Sequence, residues 1–156
     1  MATTAMDGLD LSRHTAVRRH ESRPASDTPI DWSHLSRFTL GDKALETEVL
    51  GLFAMDAPRY LAKMIAARSR KDWIEAAHTL KGSARAVGAW NVAECAQSAE
   101  ALQLPAGSEW AEPADNRGMA DALDKLSRAV RGTVAYIEQL AAMSRMSPVA
   151  MEASCR

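Results

Sequence analysis

The chain has 156 residues, of which 47% are hydrophobic and 25% charged, with a net charge of −1. That composition suits one soluble globular domain with tails and excludes a disordered polymer. A nearly neutral molecule has no strong field to draw it to nucleic acid or anionic lipid, and no window approaches the ~18 apolar residues of a spanning helix.

Residues 1–29 are rich in Ser, Thr, Arg and Asp and end in the turn-forming run SRPASDTP. They read as a flexible arm without the apolar core of a signal peptide. Arg13, Arg18, Arg19 and Arg23, with His14 and His20, make the arm mildly basic, either as a solvated tail or as a weak electrostatic docking arm. At Ile30 the character changes. Asp31 can cap a short helix, DWSHLSRFTL, before Gly41 and Asp42 break and restart the chain. The following stretch places Leu45, Val49, Leu52 and Phe53 in one helical register, and Tyr60, Leu61, Met64 and Ile65 continue it. Pro58 interrupts the pattern, so a kink is expected there and two helices are expected to meet near Asp56.

A helix is predicted from about Lys71 to Val87, and Asn91 is expected to cap the next one, with Val92, Cys95 or Ala96, Ala99 and Leu102 facing inward. Pro105 to Gly118 is a loop. The last helix, from about Met119 to Met143, carries Leu123, Leu126, Val130, Val134 and Ile137 on one stripe. No stretch alternates as a strand would. The chain is therefore expected to be all-α: an antiparallel four-helix bundle with a short additional N-terminal helix, spanning 30–143 and followed by a tail, 144–156. About 110 residues suffice for an unaided core. Cys95 and Cys155 make no disulfide framework, which favours a reducing, cytoplasmic setting.

The histidine-bearing segment, AAHTLKGSARAVGA, contains a puzzle. Trp73, Ala77, Leu80, Ala84 and Val87 form its buried stripe, which leaves His78 on the open side with Ile74, Lys81, Gly82 and Arg85. A glycine inside a helix costs roughly 1 kcal/mol against alanine. Helical side chains lean toward the N-terminus, so position 82 is the one that would cover His78. Gly82 leaves the imidazole open to a large partner. Lys81 can bring a positive charge to the same space, and Arg85 adds a second cation to the face. The Ser83 hydroxyl can serve there too, or bond to the preceding turn instead. An imidazole titrates ordinarily near 6.5 and is nucleophilic at neutral pH, and lysine is a common phosphate partner. An open histidine with a cation beside it suits a phosphoryl carrier.

HTLKGSARAVG resembles the central motif of histidine-containing phosphotransfer (HPt) domains, with His78, Lys81, Gly82, Ser83 and Gly88 in the matching places. The resemblance is clearest from Ile30 to Leu104, including the DAP run before Tyr60 and the DW opening of the histidine helix. It implies a phosphoacceptor at His78, phosphoryl stabilisation by Lys81 and access through Gly82. It also implies a Gln or Glu on the next helix that holds the other ring nitrogen; here the candidate is Glu100. The implied function is a cytoplasmic, monomeric phosphorelay intermediate between receiver-domain aspartates of a hybrid histidine kinase and a response regulator. It would have no cofactor of its own, since Mg²⁺ is expected on the partner receiver, and it would bind neither nucleic acid nor membrane. The long 105–118 loop and the N-terminal arm depart from the family pattern.

Three other readings compete with this one. An autophosphorylating kinase typically has an acidic residue directly after its histidine and a proline soon after; here Thr79 follows, and no proline lies between Pro58 and Pro105. There is also no Gly-rich nucleotide loop. An acid/base or metal enzyme lacks support, because His14, His20, His34 and His78 show no ligand spacing. A non-catalytic HPt-like scaffold that binds receivers remains the alternative, disfavoured by the intact His78 and Lys81.

Overall fold

The structure, a computed structural model, describes residues 28–102 and 110–146. Most of the N-terminal arm, part of the 105–118 loop, Cys155 and nearly all of the expected tail lie outside the described residues. Five helices occur among the described residues: α1 (Trp32–Phe38), α2 (Lys43–Ile65), α3 (Arg70–Ala86), α4 (Trp90–Glu100) and α5 (Arg117–Met146). α2 packs on α3 and α5, and α4 packs on the same two helices, so α2 to α5 form a four-helix ring. The all-α bundle with a short entry helix is the architecture expected.

Local chemistry sets most of the helix starts. The Asp31 carboxylate accepts from the backbone N–H of His34, Asp42 accepts from Ala44 and Leu45, and Ser69 accepts from Asp72. Each satisfies donors that the first turn of a helix leaves open. Leu35, Leu50, Phe53, Met64, Trp73, Leu80, Val92, Leu126, Val130 and Ile137 are buried in one core. In α4, Ala96 takes the core position and Cys95 stays half-buried.

Two expectations are corrected. The chain does not divide near Asp56; α2 runs unbroken through Pro58. Proline removes one backbone donor, but Phe53, Ala57 and Met64, on either side of it, are all buried in the same core. Asn91 does not cap α4, which begins at Trp90 after Ala89 and has no side-chain cap. The reason lies in how α3 ends.

Gly88 adopts φ +73. Its N–H bonds the Arg85 carbonyl at 3.2 Å, and the Ala89 N–H bonds the Ala84 carbonyl at 2.8 Å. This is a Schellman closure with a left-handed glycine, and it starts α4 two residues earlier than a cap at Asn91 would. Gly88 also seats α1: its carbonyl accepts from the Asp31 N–H at 3.1 Å, and a Cβ there would come within 3.0 Å of the Asp31 carbonyl oxygen. Gly88→Ala is therefore expected to cost at least about 1–2 kcal/mol from the left-handed backbone alone. Thermal denaturation should show a fall in Tm on the order of 5–10 °C.

α5 is longer than the predicted 119–143 at both ends. At its start the Asn116 side chain accepts from the Met119 N–H, which draws Arg117 and Gly118 into the helix. At its end the helix takes in the first residues of the expected tail, through Met146. α1 is tied to α5 by a hydrogen bond from the Trp32 indole to the Tyr136 hydroxyl, at 3.3 Å.

Candidate functional site

α3 and α4 form a helical hairpin closed by Val87–Ala89, which lays the outer face of α3 beside the C-terminal end of α4. His78 projects from α3 with 68% of its side chain exposed. Apart from its chain neighbours and the helix's own backbone, nothing lies within 4 Å of where a Cβ at Gly82 would stand, so the approach to the imidazole is open. Lys81 is only 14% exposed and Glu100 22%, and both lie against the bundle.

Glu100 Oε1 lies 2.8 Å from His78 Nδ1, and Glu100 Oε2 accepts a hydrogen bond from Lys81 Nζ. The Lys81 ammonium holds the Glu100 carboxyl below the usual carboxylate range; partial burial opposes this, and His78 adds to it. At neutral pH Glu100 is thus an acceptor only. Nδ1 must then carry the proton it donates, which leaves the lone pair on Nε2, the ring nitrogen not engaged by Glu100.

The lowered Glu100 value sets a direction for stability. A carboxyl whose folded pKa lies below its unfolded value, about 4.3, contributes stability that is present above that value. The contribution is lost as pH falls through the folded value. Glu100→Gln is therefore expected to melt below wild type at pH 7, with the gap closing as pH drops below about 4. Melting curves at several pH values check this; a gap that does not change with pH would contradict it.

The other candidates fall into two groups. Arg85 is exposed and donates to Gln97 Oε1 at 2.6 Å, one turn beyond the His78–Lys81–Glu100 cluster. Sequence reasoning missed Gln97, although it stands three residues before Glu100 and hence on the same face of α4. Ser83 and Ile74 do not join the cluster: the Ser83 hydroxyl donates to the Thr79 carbonyl at 3.1 Å, and Ile74 is half-buried against the core. Among the described residues, no three His, Cys, Asp or Glu side chains gather as metal ligands would.

The arrangement offers a protruding nucleophile with a carboxylate behind its second nitrogen and an ammonium alongside. Comparison with known proteins agrees with that chemistry. The crystal structure of the histidine phosphotransferase ShpA from Caulobacter crescentus superposes with a TM-score of 0.54 at 28% identity, covering 76% of this chain and 95% of that one. No curated protein sequence matches. The Hpt domain model matches residues 48–145, from within α2 to near the end of α5 and well over half of the 156 residues, so the chain belongs to the Hpt domain family.

Proposed function

We propose that His78 carries a phosphoryl group between the aspartate of one receiver domain, on a hybrid histidine kinase, and that of a second, on a response regulator. The observation that carries this reading is the 2.8 Å approach of Glu100 to Nδ1 of a largely exposed histidine. In the forward step the Nε2 lone pair attacks the phosphorus of the aspartyl phosphate. The N–P bond forms as the P–O bond breaks, and the aspartate leaves as a carboxylate with the electron pair. The ring keeps its Nδ1 proton, and the positive charge that develops on it is met by Glu100. Passing the group to the second receiver reverses these events, so no net proton is gained or lost.

Lys81 serves both partners in this scheme. An ammonium has three donors, and its bond to Glu100 leaves donors for the phosphoryl oxygens. Transfer of this kind relies on positioning and charge stabilisation. The Mg²⁺ it uses belongs to the receiver, and this chain supplies nucleophile and charge. Ile74, Gly82 and Arg85 border the face a receiver would cover, and Ser83 backs it. The reading places the carrier in the cytoplasm as a monomer; among the described residues no helix is long and apolar enough to cross a membrane.

The test is transfer from a ³²P-labelled receiver domain to this protein, followed by treatment of the product with acid and base. An acid-labile, base-stable label is the expected result, since that is the signature of a phosphoramidate bond. A folded protein that takes no label from several receivers would favour the receiver-binding scaffold instead.

A further inference from the structure

We infer that Trp73 is a positioning residue for the phosphoacceptor: its indole N–H caps the C-terminus of α4 and so holds Glu100 opposite His78. The inference rests on the proposed role of Glu100 and extends it to a residue that touches neither the imidazole nor the phosphoryl group.

Glu100 is the last residue of α4, so its place depends on the final turn of that helix. That turn has little support of its own. α4 has 11 residues and no side-chain cap at its start, and helices this short are marginal without tertiary contacts. The last carbonyls of any helix lack intrahelical partners. Here the Ala99 carbonyl, directly before Glu100, is met along the chain by the Leu102 N–H at a long 3.4 Å and by the Ala101 N–H, which it shares with the Gln97 carbonyl at 3.0 Å. Its good partner comes from α3: Trp73 Nε1 donates to it at 2.8 Å. Both residues are buried, away from water that could replace the bond. A buried indole N–H needs an acceptor and a buried helix end needs a donor, and each meets the other's need.

Trp73 stands on the same helix as His78, slightly more than one turn before it. The bond therefore ties the helix that bears the histidine to the residue next to its carboxylate partner. Ring packing alone would ask only for a large apolar side chain at position 73; the N–H adds a fixed height for the end of α4.

The experiment compares wild type, Trp73→Phe, Glu100→Ala and the double variant, with phosphoramidate as a small phosphoryl donor that needs no receiver. Two quantities are read: the rate of His78 phosphorylation and the ¹⁵N shifts of the His78 ring, which report its tautomer. Trp73→Phe keeps the ring and removes the donor. It is expected to slow phosphorylation about three- to tenfold and to reduce the Nδ1–H tautomer. In the double variant the Trp73→Phe effect should vanish, because Trp73 acts through Glu100. Equal slowing in the presence and absence of Glu100, or an unchanged tautomer in Trp73→Phe, would overturn the inference while leaving Glu100 its role. No change in tautomer or rate in Glu100→Ala would overturn the Glu100 reading itself, and this inference with it. Should Trp73→Phe not fold, the wild type decides. Its Trp73 indole proton should exchange with deuterium no faster than the amides of the last turn of α4, and exchange far ahead of them would rule the clamp out.

Discussion

His78→Gln protein is expected to accept no phosphoryl group, from a receiver or from a small donor, while remaining folded. An amide nitrogen has no nucleophilic lone pair comparable to that of imidazole, so the loss should reach background rather than a fraction of wild type. Stability should change little. The side chain is 68% exposed, glutamine is a good helix former, and substitutions at such sites usually stay within about 0.5 kcal/mol. Lys81 would still pair with Glu100, so no buried charge is left without a partner. Labelling and a melting curve on the same preparation check both halves. A label that survives would place the acceptor elsewhere and remove the basis for the proposed relay.

Gly82→Gln is expected to separate stability from function. The new side chain meets open space, and replacing a mid-helix glycine with a good helix former should stabilise the protein by about 0.5–1 kcal/mol. Leaning toward the N-terminus, it would also lie over His78. A receiver must bring its aspartate in line with Nε2, and misplacement by about 1 Å can cost 10²-fold. Transfer from a receiver should therefore slow at least tenfold, whereas phosphoramidate, which is small enough to pass beside the side chain, should lose far less. Rates measured with both donors make the comparison. Equal slowing with the two would point to damage at the imidazole rather than blocked docking, and no slowing with either would refute the access argument.

The histidine helix was legible because one helix face is a one-dimensional property. The stripe from Trp73 to Val87 is buried as its spacing requires, and the same register put His78 and Gly82 on the open side. Glu100 was different. It came from a family resemblance, since pairing across two helices depends on the length and geometry of the turn between them, which periodicity does not contain. Once Gly88 closes α3 and starts α4 at Trp90, Glu100 meets both His78 and Lys81. Lys81 was identified from spacing as a cation near the imidazole, but its bond to Glu100 was not visible along a single helix.

The two corrected elements have similar causes. Pro58 is a strong local signal, yet a penalty of about 3 kcal/mol can be outweighed by residues that anchor both sides of it in one core. Asn91 is a good cap by type, but the backbone bonds that end α3 put Ala89 at the cap position instead. In both places neighbours distant along the chain, or the geometry of the preceding turn, overrode a local preference.

The three-residue closure Val87–Ala89 also bears on how the protein acquires its site. His78, Lys81, Arg85, Gln97 and Glu100 all lie within one hairpin, so every contact among them closes a loop of modest length. Contacts of low sequence separation form early and fast, because little chain entropy is lost before they are made. The site can therefore take shape while α5, which joins the hairpin across residues 101–116, has yet to dock. Its chemistry is a property of a compact local unit, with the rest of the bundle holding that unit in its final position.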